Sequence, residues 1–367
     1  MVFSSKTYSP LTIAGAFIGA MVGAGFASGQ EIMQFFVFAG PAGLLGIIGA
    51  CILFFYIGNL IMKMAFHART PVYRDLIVKT FGRSGLFWAF DILISFSFFG
   101  VLVVMTSGAG ALFNEFLGLP FWVGGALVLM PTFVTVLLGR GAVIRAISVI
   151  VPLVLIGIAL ITFFTLWQHP LSLGEFIHSA DPQKAVAHGL VPVSAVLYAA
   201  YNILLTLAVL TTLGSAVSST RILRMGALLG ALGLGAASLC IFAALAADLP
   251  TTAASEIPML NLASRIHPLL AGGYGVVLLL EIYTSTLSLL YGLTDRFFKL
   301  PESHEARGNI GPAVFLVCVA ALFCSYIGFS NMVSLFYPAL GVGSIVFCGL
   351  LWRRRHIILG SDKVSKF

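Results

Sequence analysis

Residues 14–31 read Ala14-Gly15-Ala16-Phe17-Ile18-Gly19-Ala20-Met21-Val22-Gly23-Ala24-Gly25-Phe26-Ala27-Ser28-Gly29-Gln30-Glu31. Eleven of the sixteen residues from Ala14 to Gly29 are Gly, Ala or Ser, and they sit inside an apolar run from Pro10 to Phe38. A straight helix over that run would be about 43 Å long, against a hydrocarbon core of about 30 Å. Glycine disfavours a continuous helix and tolerates unusual backbone angles. The polar cluster Ser28-Gly29-Gln30-Glu31 interrupts the apolar pattern, which resumes at Ile32. These features predict two half-helices joined by an unwound stretch. Unwound backbone at membrane depth survives only where it lines a cavity or is buried in protein. Its free carbonyls can hold a cation, and the N-terminus of the next helix can hold an anion. A blander reading also fits: Gly/Ala-rich helices form ordinary close-packing faces. Ser28-x-x-Glu31 is likewise a capping box, in which Glu31 only satisfies backbone donors. A capping box needs a helix start, however, so it too implies a break.

The rest of the chain places this stretch in lipid. Of 367 residues, 59% are hydrophobic and 9% are charged, against roughly 25% charged in a soluble domain. Ten apolar segments run roughly over 10–38, 43–65, 86–116, 121–139, 146–167, 187–213, 225–247, 270–294, 310–328 and 332–352. The first is too long for the core of a signal peptide, so it is read as a span that also serves as the targeting signal. The fold class expected is an all-α integral membrane domain covering 1–367, with no soluble domain. The net charge of +7 would suggest nucleic acid in a soluble protein, but the placement of the charges gives a better reading. With the N-terminus in the cytoplasm, 18 of the 20 Lys and Arg residues fall in cytoplasmic segments, and only Lys184 and Arg265 fall outside. The positive-inside rule therefore puts both termini in the cytoplasm. The five cysteines lie in apolar runs without metal-site spacing and are read as small fillers.

Ten spans divide into two sets of five, 1–167 and 187–352. An odd number forces the second set to enter the membrane inverted, a common way to build a transporter. In each half the longest connection follows the second helix, at 66–85 and 248–269, on opposite sides as inversion demands.

Two later segments carry polar groups at membrane depth. The sixth span contains Tyr198-Ala199-Ala200-Tyr201-Asn202. The tyrosines could be packed between helices with satisfied hydroxyls, but a buried Asn202 amide needs partners. The eighth span carries Glu281, Thr284, Ser285 and Ser288, at i, i+3, i+4 and i+7 on one helical face. No Lys or Arg lies in the core of any span, so Glu281 has no resident counterion. It must bind a transported cation, bind a cationic group of a substrate, or carry a proton; the structural alternative is a permanently protonated acid. Asp91 and Glu115 lie near opposite ends of the third span, where a surface or gate role is expected. Enzymatic motifs are missing: there is no Walker lysine motif, no HExxH and no Ser/His/Asp set at membrane depth.

Gly19-x-x-x-Gly23-Ala-Gly25-Phe-Ala-Ser-Gly29-Gln30-Glu31, with Tyr201-Asn202 in the sixth span, resembles the YkvI-type membrane proteins. These are grouped as amino-acid permeases of the amino acid–polyamine–cation (APC) superfamily, with the leucine-transporter (LeuT) fold. The resemblance implies a 5+5 inverted repeat in which helices 1 and 6 are broken. It implies a substrate cradled by Ala24, Gly25, Phe26, Ala27, Ser28, Gly29 and Glu31 in the first span and by Tyr198, Tyr201 and Asn202 in the sixth. It also implies a Na+ site between the carbonyls of Gly19 and Val22 and the hydroxyls of Thr284 and Ser285. Glu281 departs from the sodium-symporter pattern, where a small residue offers only its carbonyl, and so brings protons into consideration beside sodium. The arginine of the usual outer gate and the Asp-Pro-Gly-Asn motif of the divalent-metal branch are both missing. The expectation is therefore a bacterial inner-membrane symporter of an amino acid or similar small zwitterion, working by alternating access. Its coupling ion is Na+ or H+, it has no other cofactor, and its partners are substrate and bilayer, not nucleic acid. The alternatives are a proton-coupled transporter of an organic amine and a non-transporting membrane sensor with the same fold. Oligomeric state is left open.

Overall fold

The computed structural model describes residues 8–138, 150–298 and 304–359. Lys6, Arg140, Arg145, Lys299, Lys363 and Lys366, all assigned above to cytoplasmic segments, lie outside the described residues, as does the start of the fifth span at 146–149.

The first span is broken. Helix α1 (Pro10–Met21) is capped by Ser9, whose Oγ accepts from Thr12 N–H, and it stops where Val22 and Gly23 turn extended. The short α2 (Ala24–Ala27) follows, then Gly29 at φ +83, then α3 (Gln30–Ile32), which continues as a π-helical turn over Met33–Val37. Only glycine adopts such a φ without strain, so the Ser28-Gly29 step marks the second discontinuity. The other nine spans are long single helices: α4 (Gly43–Ala68), α6 (Gly85–Leu117), α7 (Phe121–Leu138), α8 (Ile150–Gln168), α10 (Val191–Ala216), α11 (Thr220–Ala247), α14 (Pro268–Phe298), α15 (His304–Cys324) and α16 (Phe329–Leu359). All nine are long and apolar enough to cross a bilayer. Between them lie the short helices α5 (Tyr73–Phe81), α9 (Leu173–Ser179), α12 (Leu249–Thr252) and α13 (Pro258–Ile266).

Packing follows the sequence halves. Spans one, two, six and seven (α1, α4, α10, α11) pack on one another, and spans three, four, eight and nine (α6, α7, α14, α15) form a second group. Span five (α8) packs on spans seven and eight, and span ten (α16) packs most extensively on span six and also on spans three and two. Shifting every span by five carries the members of each group onto one another, and carries the contacts of span five with spans seven and eight onto those of span ten with spans two and three; the packing of span ten on span six stands outside this exchange. The long connections obey the same shift: α5 packs against spans ten, six and two, and α13 against spans five and seven. Loop contacts also sort the two ends. At one end Arg296 pairs with Asp91 at 2.5 Å and bonds Tyr73 Oη, while Thr211 and Thr212 donate to Pro71 O. At the other end Ser255 donates to the Glu115 carboxylate, and Arg265 pairs with Asp248.

The sixth span corrects an expectation. Helix α10 runs unbroken from Val191 to Ala216, so among the described residues the first span is interrupted and the sixth is not. The physical reason is local. The run Tyr198–Asn202 contains no glycine or proline, and its amide, with the Thr206 hydroxyl one turn on, closes on the helix itself. Asn202 Nδ2 donates to Tyr198 O at 3.0 Å, and Thr206 Oγ1 donates to Asn202 O at 2.9 Å. Nothing there frees backbone for a ligand.

Candidate functional site

The break in the first span opens onto a cavity of about 260 Å³. It is lined by Gly19, Val22 and Glu31 of the first span, Tyr201 and Asn202 of α10, Glu281, Thr284, Ser285 and Ser288 of α14, and Tyr337 of α16. The extended backbone at Val22 and Gly23 cannot continue the α-helical ladder. As a result, no donor among the described residues reaches the carbonyls of Gly19, Ala20, Met21 or Val22. Four acceptors thus point out of a helix end with nothing to satisfy them, the arrangement a cation can use.

The eighth span brings its polar face to the same place. Ser285 Oγ donates to Glu281 Oε1 at 3.4 Å and stands within 4.0 Å of where a side chain on Gly23 would begin. Thr284 Oγ1 bonds Glu281 O at 3.2 Å, and Ser288 Oγ bonds Thr284 O at 2.8 Å. Their oxygens keep free lone pairs. Glu281 is buried, at 4% exposure.

Glu31 is not a cap. Its chain folds back over Gly25, where any Cβ would collide with the carboxylate, and Tyr201 Oη donates to its Oε2 at 2.7 Å. Ser28 makes the local turn instead: its Oγ donates to Gly25 O at 2.9 Å and accepts from Gln30 N–H at 3.2 Å. A side chain at position 25 would therefore displace the Glu31 carboxylate from its place. Two carboxylates, Glu31 of the first span and Glu281 of the eighth, line one cavity. Among the described residues, no Lys or Arg lines that cavity.

Other expected residues fall elsewhere. Ala24, Gly25, Phe26, Ala27, Ser28 and Gly29 are buried behind the cavity wall rather than lining it. The N–H groups of Ala27, Ser28 and Gly29, assigned above to a substrate carboxylate, bond Gly23 O at 2.9 Å, Ala24 O at 2.8 Å and Phe26 O at 3.0 Å. Tyr198 is packed among Phe35, Phe36, Phe54 and Tyr201, with ring centroids 5.1 to 5.8 Å away. Asp91 and Glu115 hold opposite ends of the third span, in the polar contacts already described.

Sequence reasoning missed three residues. Tyr337 stacks on Tyr201 with centroids 4.7 Å apart and completes the wall beside Glu31. Its signal was a tyrosine directly before Pro338 inside an apolar span. Tyr274 donates to Ala27 O at 2.5 Å, and Met259 N–H donates to Ser28 O at 2.9 Å. They tie the second half of the chain to the α2 turn, and only the tertiary fold brings them there.

No family model matches the chain. The chain is 29% identical over 350 residues to an uncharacterised membrane protein, YkvI, of Bacillus subtilis, covering 92% of this chain and 94% of that one. It is 26% identical over 339 residues to the uncharacterised Bacillus subtilis protein YyaD, covering 91% and 94%. Among solved structures, MhsT in complex with L-phenylalanine aligns over 99% of this chain and 100% of its own, with TM-score 0.61 and 18% identity. A substrate-bound Na+-coupled sialic acid symporter gives 0.63 at 14% identity over 95% and 90%. Mhp1, a nucleobase-cation-symport-1 family transporter with bromovinylhydantoin bound, gives 0.57 at 16% identity over 96% and 80%. The chain is a multi-pass helical membrane protein with the LeuT fold.

Proposed function

We propose that the chain is a cation-coupled secondary transporter of a small substrate bearing a protonated amino group, an amino acid or a similar molecule. One observation carries the reading: two buried carboxylates line one cavity at the break of the first span, and among the described residues no cationic side chain lines it. An unpaired carboxylate at mid-membrane costs at least about 2.5–3.5 kcal/mol on insertion scales, so each is expected to have a cation or proton as partner during the cycle. Glu31, beside Tyr201 and the Tyr337 ring, suits an organic ammonium, because the ring faces attract cations as the carboxylate does. Glu281, with Thr284, Ser285 and the open carbonyls of Gly19 to Val22, suits the coupling ion, Na+ or H+.

The same geometry favours one second reading, an organic amine exchanged against protons. The backbone donors nearest the α2 turn are already bonded, and a zwitterion would need a partner for its carboxylate. A thermal-shift screen of the purified protein decides between them. The panel is amino acids, the matching amines and sodium, at pH 6 and pH 8. Stabilisation by an amino acid but not by its decarboxylated amine supports the first reading, and the reverse supports the second. No stabilisation by any amine-bearing compound rejects both.

We place the protein in a bacterial inner membrane with both termini in the cytoplasm. A cysteine at position 178 should label from outside, and one at position 74 only from inside; the opposite pattern inverts the assignment.

A further inference from the structure

On the outer surface of the bundle, away from the cavity, a groove of about 600 Å³ runs between α4, α10 and α16. Most of its wall is hydrocarbon, such as Leu53, Ile57 and Ile345, and among the described residues no carboxylate lines it. Lys63 and Arg355 stand in it within the last two turns of α4 and α16. Lys63 has no hydrogen-bond or ion-pair partner among the described residues. The Arg355 guanidinium lies 4.1 Å from the Trp352 ring centroid and spends one donor on Trp352 O, at 2.7 Å. Its remaining N–H groups have no partner among the described residues. One turn deeper than Lys63, about 6 Å along α4, Asn59 Oδ1 is buried in the groove without a donor.

The groove is therefore graded. It is apolar along its length, holds an unsatisfied amide part-way, and ends in two unneutralised cations beside an indole. A free anion would leave the apolar length empty, and an uncharged lipid would leave the cations unpaired. A second copy of the chain packed here about a twofold axis would bring four cations together with no carboxylate. We propose that the groove binds one anionic phospholipid. Its phosphate sits between Lys63 and Arg355, its glycerol-ester region lies at the depth of Asn59, and an acyl chain runs along the apolar wall. Basic pockets between transmembrane helices are a recurrent form of lipid headgroup recognition.

The test is native mass spectrometry of the full chain in detergent, with phosphatidylglycerol or phosphatidylcholine of the same acyl chains added. Each surface cation should favour the anionic lipid by about fivefold. Lys63→Gln and Arg355→Gln should each lower retention of phosphatidylglycerol by that factor and leave phosphatidylcholine unchanged. Arg224→Gln, an exposed charge on α11, should change neither. Gly349 lines the groove, and a Cβ there would meet nothing within 4 Å, so Gly349→Phe should fill the trough and lower retention of both lipids without disturbing the fold. Equal retention of the two lipids by the wild-type chain would overturn the proposal. So would a preference that survives Lys63→Gln with Arg355→Gln, or a lipid-free dimer of the chain that Gly349→Phe dissociates.

Discussion

The first and sixth spans hold equivalent places in the two halves, yet only the first is broken. In the first span, four carbonyls from Gly19 to Val22 have no donor among the described residues, and a carboxylate folds back over Gly25. In the sixth, Asn202 and Thr206 return their hydrogen bonds to the helix that carries them. The first half thus brings open backbone to the cavity and the second brings side chains, with Tyr201 donating to Glu31 at the cavity wall. Pseudo-symmetry of packing does not require symmetry of the site. One glycine-rich break is enough to expose acceptors, and an intact partner helix gives them a fixed wall.

The sharpest way to break this comparison is at Gly25. Gly25→Leu places a side chain where the Glu31 carboxylate now lies, and overpacking of this kind costs about 1–3 kcal/mol. Ligand-induced stabilisation should disappear entirely while the protein still inserts and elutes as a single species. Retained ligand binding would mean that the Glu31 position is not part of the site. The matching change in the intact helix, Ala199→Leu, is buried too but at a position that does not line the cavity, and should impair binding less.

A second test concerns Glu281, with Thr284 and Ser285 on its face. If protons couple, Glu281→Gln should abolish gradient-driven accumulation in proteoliposomes and leave substrate exchange, with no effect of sodium. If sodium couples, wild-type uptake should require sodium, and Thr284→Ala should weaken that requirement. Normal transport by Glu281→Gln under both gradients would make Glu281 structural.

Tyr201→Phe removes the hydroxyl that donates to Glu31 at 2.7 Å and keeps the ring stacked on Tyr337. Loss of a hydrogen bond to a charged group is worth about 1.5–3 kcal/mol, or roughly ten- to hundredfold in affinity. An unchanged affinity in the thermal-shift titration would show that the substrate does not use the Glu31–Tyr201 pair.

The break and the polar face of the eighth span were legible in the sequence, because both rest on local chemistry: glycine content, span length and helical spacing. The ten segments and their sorting to two ends were legible for the same reason, since apolar length and charge placement need no tertiary knowledge. The sixth-span break was a misreading. The polar run from Tyr198 to Asn202 looked like unwinding, but side chains able to bond their own helix leave the backbone intact. Tyr274 and Met259 could not be read, because their function is a contact with residues more than two hundred positions away. Glu31 was ambiguous between cap and ligand until the fold placed Tyr201 opposite it.

The smallest predicted effect lies outside the membrane, in the 253–257 connection. Burial pushes the Glu256 carboxyl above its usual range; Glu115 adds to the shift, and the Phe329 N–H opposes it. A carboxyl raised in the folded state holds its proton more tightly there than when unfolded. Its contribution is therefore present at low pH and is lost as pH rises through the folded value. Glu256→Gln should melt slightly higher than the wild type at pH 8, and the difference should shrink towards pH 4. A difference that grows on acidification would contradict this.

The most direct test of the two-carboxylate account is a ligand-binding cross. Melting of the wild type, Glu31→Gln and Glu281→Gln is followed against an amine-bearing ligand found in the screen, and separately against sodium and pH. The account predicts that Glu31→Gln loses the shift produced by the amine and keeps the response to sodium or pH. Glu281→Gln should lose the cation response and still register the amine. Loss of both responses in either variant, or an amine shift that persists in Glu31→Gln, would contradict the division of the cavity between substrate and coupling ion.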